Sequence, residues 1–238
     1  MCGRFVIAGY RASLIDAFEV DDATDTELPP SWNIAPTRPV YLITERLDRA
    51  TGETRRRLET ARWGLIPSWA RTTAAGVRMI NARSETLTDK PSFRAAAARR
   101  RGLVPAHGYY EWRLNADGTK SPIYLHSDDD GPLAFAGLYE FWQDKAAGPD
   151  SPWVASCTII TRAASDALGQ IHERTPVIVP QELHRDWLGP QVTAAADVRD
   201  LLAGIPDPTL VPRLVGPEVG NVRNDGPGLI RPIDPGDS

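Results

Sequence analysis

The sequence predicts one α+β domain built on antiparallel strands. Three observations point there. The chain of 238 residues is 42% hydrophobic and 24% charged, which is enough apolar content to fold and bury a sizeable core. Its second half alternates short β-prone runs with Gly, Asp and Pro turns. Segments with helical periodicity are short and scattered, with no internal repeat and no long linker.

The elements follow in order. Gly3 to Ala8 is apolar and reads as a buried strand at the start of the chain. Leu14, Ile15 and Phe18 share one helical face, so Arg11 to Val20 predicts a helix. Asp21 to Pro30 is acidic and rich in breakers, hence a loop. Pro36 and Pro39 favour an extended segment after Trp32. Val40 to Thr44 and Arg56 to Leu65 predict strands joined through the turn residues Thr51-Gly52. Trp63 to Trp69 is an aromatic loop, and Arg78 to Thr86 has no clean period. Ser92 to Arg101 is alanine-rich, opens behind Pro91 and stops at Gly102, which are helix boundary signals. Strands are expected at Leu103 to Ala106, Tyr109 to Leu114, Ile123 to His126, Leu133 to Trp142 and Trp153 to Thr161. Helices are expected at Ala163 to Gln170, Gln181 to Leu188 and Ala194 to Ala203, with a short strand at Val177 to Val179. Residues 205–238 are rich in Pro and Gly, so the domain is drawn at 1–225, with a flexible tail over 226–238.

Several function classes are excluded. No stretch approaches about 18 uninterrupted apolar residues, as a membrane helix needs. Arg4 and Arg11 interrupt the apolar run a signal peptide requires. Two cysteines cannot make a disulfide scaffold, and two Cys with four scattered His show no zinc spacing. The expectation is a reduced, cytoplasmic, metal-free protein without an organic cofactor. Charge is uneven along the chain. Residues 38–113 carry sixteen basic and seven acidic side chains, a net +9, inside a protein of net −4. Lysines are only Lys90, Lys120 and Lys145; the rest of the basic residues are arginines, the better bidentate phosphate ligands. This pattern fits an anion-binding face, or arginines spread over solvated faces. Arg99-Arg100-Arg101 reads as a solvated helix end.

Cys2 is the first candidate for chemistry. Its side chain is small enough for Met1 to be removed by an aminopeptidase, leaving an amine and a thiol on one residue. These titrate near about 8 and about 8.5, so both are partly available as nucleophiles at neutral pH. Together they can condense with an aldehyde into a thiazolidine ring; alone, the thiol could do acyl chemistry. His172, in Ile171-His172-Glu173-Arg174-Thr175-Pro176, is a plausible general acid or base or a satisfied structural histidine. Glu111 lies between aromatics in Tyr109-Tyr110-Glu111-Trp112 and would have a raised pKa if buried. Asn33 and Asn81 are neutral donors beside structured loops, and Arg83 shares a face with Asn81 on an extended segment. Cys157 reads as a small core residue.

Taken together, these segments carry a resemblance. Met1-Cys2-Gly3-Arg4-Phe5 strongly resembles the start of the SRAP family, the SOS-response-associated peptidase domain that processes abasic sites. Matches follow in order at Trp32 to Thr37, Trp63 to Ala70, Ile80 to Thr86, Pro91 to Arg94, Gly108 to Trp112, Ile171 to Ile178 and Asn221 to Pro227. His107 and the run Ala95 to Ala98 depart from the family's pattern. The resemblance implies a single α+β domain with an antiparallel, barrel-like core and peripheral helices. It implies a covalent crosslink to abasic sites in single-stranded DNA, formed as a thiazolidine on Cys2 once Met1 is gone, with self-removal of Met1 possible. On that analogy Cys2 is the nucleophile, His172 assists sugar-ring opening, Glu111 deprotonates the attacking groups and Asn81 orients the sugar. Asn33 would support the pocket, and Arg4 and Arg83 would hold phosphates. Trp63 and Trp69 bracket a loop that could stack bases, with at least one of them in the core. The partner expected is single-stranded DNA, the protein a monomer, and no membrane is involved. Two other functions stay open: a thiol peptidase acting through Cys2, and a non-catalytic single-strand-binding module.

Overall fold

The computed structural model describes residues 2–48, 50–165 and 170–234. The larger sheet starts from a long hairpin of β4 (Pro39–Leu47) and β5 (Thr54–Trp63). β7 (Arg101–Ala106), β10 (Leu133–Gln143) and β11 (Trp153–Ala163) continue it in the antiparallel order β5-β4-β7-β10-β11. Cys157 of β11 then pairs in parallel with Trp63 of β5, which closes the five strands into a barrel. The closing pairing is short, so the ends of β5 and β11 beyond it keep edges for further strands, and the inward residues of the five strands form the main core.

A second sheet leans on this barrel in the order β13-β9-β8-β1-β3. Its strands are β1 (Phe5–Ile7), β3 (Ser31–Ile34), β8 (Gly108–Leu114), β9 (Lys120–His126) and β13 (Val211–Leu214). β7 runs into β8 across His107, so one stretch of chain serves both sheets. Gly108 makes that crossing possible: a Cβ there would stand 2.5 Å from the Tyr124 ring. The period of two then sorts side chains by face. Phe5 enters the barrel core, edge-on to Trp63 at 4.9 Å and to Phe135 at 5.9 Å. Its neighbour Val6 points the other way, into a small cluster with Tyr110, Tyr124, Val215 and Val219.

Three short strands decorate the barrel. β2 (Asp22–Ala23) lies along β5, inside the segment expected to be a loop. β6 (Asn81–Arg83) pairs in parallel with Ile159 to Thr161 of β11. β12 (Arg174–Pro176) pairs with Thr161 to Ala163 of the same strand. The four described α-helices, α1 (Arg11–Ala17), α2 (Arg94–Arg99), α3 (His184–Leu188) and α4 (Ala195–Gly204), are peripheral. No helix among the described residues is long and apolar enough to cross a membrane.

Several expectations are corrected. α2 is shorter than Ser92 to Arg101, and Arg101 is no solvated helix end. It is 4% exposed and donates to the carbonyls of Ala97, Trp187, Gly189 and Val192. The strand foreseen at Val177 to Val179 is present as a bridge of Ile178 to Phe135, with Val177 and Val179 bonded to Ala136 and Ala134, and a further strand precedes it at Arg174–Pro176, paired with Thr161 to Ala163. Of the helix foreseen at Ala163 to Gln170, Ala163 ends β11 and residues 166–169 lie outside the described residues. Within residues 226–234, Pro227–Ile230 form a 3-10 turn and Pro232 bridges Val215.

Candidate active site

β1 is short, so what precedes it is positioned by its partner strand. Phe5 stands opposite Tyr109 and Val6 opposite Gly108, and the Tyr110 N–H donates to the Arg4 carbonyl at 3.0 Å. Continuing that register toward the start of the chain sets Gly3 beside Glu111. Cys2 is fully buried. Its carbonyl accepts from Asn81 Nδ2 at 2.8 Å, so β6 holds the same residue from a second direction. Asn81 Oδ1 is buried with no hydrogen-bond partner among the described residues, and it is available to a ligand donor.

The charged groups around Cys2 are desolvated. Burial pushes the Cys2 thiol well above its usual pKa, and the Glu111 charge adds to the effect. Glu111 is 3% exposed, and burial pushes its carboxyl up to about 7. A carboxyl poised there exchanges a proton readily at neutral pH. His172 comes in from the loop before β12. Its Nδ1 accepts the backbone N–H of Arg174 at 3.0 Å, which places the proton of the neutral ring on Nε2. That Nε2 lies 3.9 Å from Glu111 Oε2. Burial lowers the pKa of His172, so the neutral ring prevails at pH 7.

The end of β11 explains why these groups meet. β6, carrying Asn81, and β12, following His172, both pair near Thr161. Arg174 spans them: it donates to both oxygens of Glu85, at 2.6 and 3.0 Å, and to the Thr161 carbonyl at 2.6 Å. These bonds hold the Glu85 carboxyl down at about 2. Thr175 Oγ1 and the Tyr109 hydroxyl are 3.0 Å apart, a buried link between β12 and β8, two residues from Glu111. The sequence reading missed Glu85, Arg174, Tyr109 and Thr175 as site residues. All four flank a candidate in sequence, but the pairings between them become visible only when the strands are brought together.

The remaining candidates divide into buried and exposed. Asn33 is 5% exposed; its amide donates to the carbonyls of Val219, Asn221 and Asn224, and its oxygen accepts from Arg4. Arg4 also donates to the carbonyls of Val219 and Gly220 and lies over the Trp112 ring at 5.8 Å. Its guanidinium therefore ties the C-terminal segment to the base of β1. Trp63 is wholly buried, with its indole N–H on the Ile80 carbonyl at 2.9 Å, and is a core residue rather than a base-stacking one. Trp69 is 63% exposed. Its loop is seated by Gly64, at φ +120°, where a Cβ would stand 2.6 Å from the Gly76 carbonyl oxygen. Arg83 is exposed, as are Arg71 before the 3-10 turn after Trp69 and Arg78 at its end.

Many arginines of the basic middle segment serve the fold instead. Arg56 is buried on Glu45 and the Phe18 carbonyl, and Arg46, Arg57 and Arg100 pair with carboxylates. Cys157 is buried in β11, in line with a small core residue.

A family model described as SOS response associated peptidase (SRAP) matches residues 1–222. The chain is 35% identical to the abasic site processing protein YoqW of Bacillus subtilis, covering 97% of this chain and 99% of that one. It is 30% identical to the abasic site processing protein YedK of Escherichia coli, covering 98% and 100%. Among solved structures, a Bacteroides thetaiotaomicron protein shares the fold with a TM-score of 0.78 over 98% of this chain and 100% of that one, at 23% identity.

Proposed function

The chain belongs to the SRAP family, and on that premise we propose that it processes abasic sites in single-stranded DNA by joining itself to them through Cys2. The observation that carries this reading is the setting of Cys2. It is buried beside a carboxyl with a pKa of about 7, and its carbonyl is held by Asn81.

Hydrolysis of the Met1–Cys2 amide frees the Cys2 amine. The abasic sugar opens to an aldehyde, with His172 Nε2–H donating toward the ring oxygen. The amine attacks the aldehyde carbon, Glu111 takes a proton from it, and water leaves as the imine forms. The thiol then adds across the imine: a C–S bond forms, and the thiol proton ends on nitrogen. The net change is one thiazolidine and one water, with no oxidant or metal required. Burial keeps the thiol protonated until this last step, which favours the amine as first nucleophile over a thiolate peptidase mechanism. Strand binding falls to Arg83 and to Trp69, whose exposed ring can stack a base at about 1–3 kcal/mol. Nothing in the reaction reads a base, so sequence preference is low.

Borohydride trapping tests the chemistry. The processed Cys2→Ser variant retains the amine but lacks the thiol. It should give an adduct that survives denaturation only after reduction, whereas the wild-type adduct needs none. A wild-type adduct that also depends on reduction would mean a simple imine and would sink the thiazolidine step.

A further inference from the structure

A groove of about 470 Å³ runs between α3 with its preceding turn and α4, away from the elements that carry Cys2, Glu111 and His172. Leu183, Asp186 and Trp187 face it from one side, at spacing i, i+3, i+4. Asp197, Asp200 and Leu201 face it from α4 at the same spacing. Each wall therefore sets aspartate beside an apolar side chain. Trp187 forms the floor, 1% exposed, fixed by its indole N–H on the Gly102 carbonyl at 2.9 Å and by Arg101 over its ring. The opposite face of α4, with Val198 and Leu202, is already buried in the core. Leu201 is half-buried at the edge of the groove. All three aspartates are exposed, and no basic side chain lines the groove.

We propose that this groove docks a basic amphipathic helix from a partner protein, with one or two leucine-sized side chains against the partly exposed Leu183, Val192 and Leu201 and Lys or Arg against the three aspartates. A cleft between two helices accepts a third as its natural occupant. Charge selects among the candidates. DNA is a polyanion and is repelled by three carboxylates. A second copy meeting the groove face to face would oppose the same aspartates. Residues 235–238, Pro-Gly-Asp-Ser, bring acid and no apolar anchor.

The test uses the full chain and a fluorescein-labelled peptide of about 14 residues, long enough to form a helix on a surface. It contains Lys and Leu, with the leucines on one helical face; a second peptide has the same composition with no apolar face. Anisotropy at physiological ionic strength should show the first binding at least about tenfold tighter than the second. Asp186→Asn/Asp197→Asn/Asp200→Asn and, separately, Leu201→Glu should each weaken it by about tenfold or more, with melting temperature and DNA crosslinking unchanged. Equal binding of the two peptides, or no loss in either variant, would overturn the proposal. Concentration-dependent self-association abolished by Leu201→Glu would also overturn it, by giving the face to a second copy.

Discussion

His172 Nε2 stands 3.9 Å from Glu111 Oε2, while the Arg174 backbone fixes the imidazole from its other nitrogen at 3.0 Å. The two groups come from opposite sheets. Glu111 is carried by β8, and His172 by the loop leading to β12. The space between a neutral imidazole N–H and a carboxyl that titrates near 7 is where a proton can be both given and taken. The Tyr109–Thr175 link and the Arg174–Glu85 pair keep those strands in place.

Glu111 should cost stability at neutral pH. Its folded pKa is about 7, raised by burial from 4.5. Between those values the folded state holds a proton that the unfolded state has released, so stability falls as pH rises through that window. The full effect is about 3 kcal/mol. Glu111→Gln should match wild type in urea denaturation near pH 4.5 and exceed it by up to that amount at pH 8. Crosslinking by wild type should rise as pH passes 7, and the variant should lose both rate and inflection. A variant less stable than wild type at pH 8 contradicts the desolvation argument.

The two loop tryptophans should separate cleanly. Trp63→Ala empties the barrel core beside Phe5 and should cost about 3–5 kcal/mol. Trp69→Ala should leave the melting temperature within about a degree, a surface change, and weaken single-strand binding by about 1–3 kcal/mol. Denaturation and oligonucleotide titration of both variants check this.

Asn33→Ala should destabilise the whole domain. It removes three hydrogen bonds to the C-terminal segment and one from Arg4; the Val219 carbonyl keeps Arg4 and the Asn221 carbonyl keeps the Asn224 N–H, so the Asn224 carbonyl is the one stranded, at about 1–3 kcal/mol. Limited proteolysis should then cut first within residues 215–234. A variant that melts like wild type would show that the segment is held by its apolar contacts alone.

Arg83 and Arg4 should behave differently in salt. Arg83 is exposed, so Arg83→Ala should lower the salt slope of DNA binding by about 1 at constant stability. Arg4 is occupied by Asn33 and two carbonyls, so Arg4→Ala should lower stability as well. Equal salt slopes for wild type and Arg83→Ala would remove Arg83 from the DNA path.

Much of the fold is legible in local signals. The β4–β5 hairpin follows from apolar runs around Thr51-Gly52, and α1 from the Leu14 and Phe18 spacing. β2 was hidden because a two-residue edge strand has no periodicity, and its partner β5 is more than thirty residues away. Arg101 looked solvated because the carbonyls that bury it come mostly from the segment around α3. Trp63 and Trp69 are alike by composition; only the barrel seam at Cys157 decides which is interior. The candidate residues Cys2, Asn81, Glu111 and His172 stood in recognisable segments. Their convergence depends on the β1–β8 register and on β11 holding β6 and β12, which are long-range pairings no local window contains.

The most direct measurement of the central claim is intact mass after denaturation. Met1-processed protein is mixed with a single-stranded oligonucleotide bearing one abasic site, without reductant. The expected product has the mass of protein plus DNA minus one water, and is missing for Cys2→Ala while that variant still binds the strand. No adduct from protein with a verified free Cys2 amine, or an adduct of full mass from Cys2→Ala, would contradict the account.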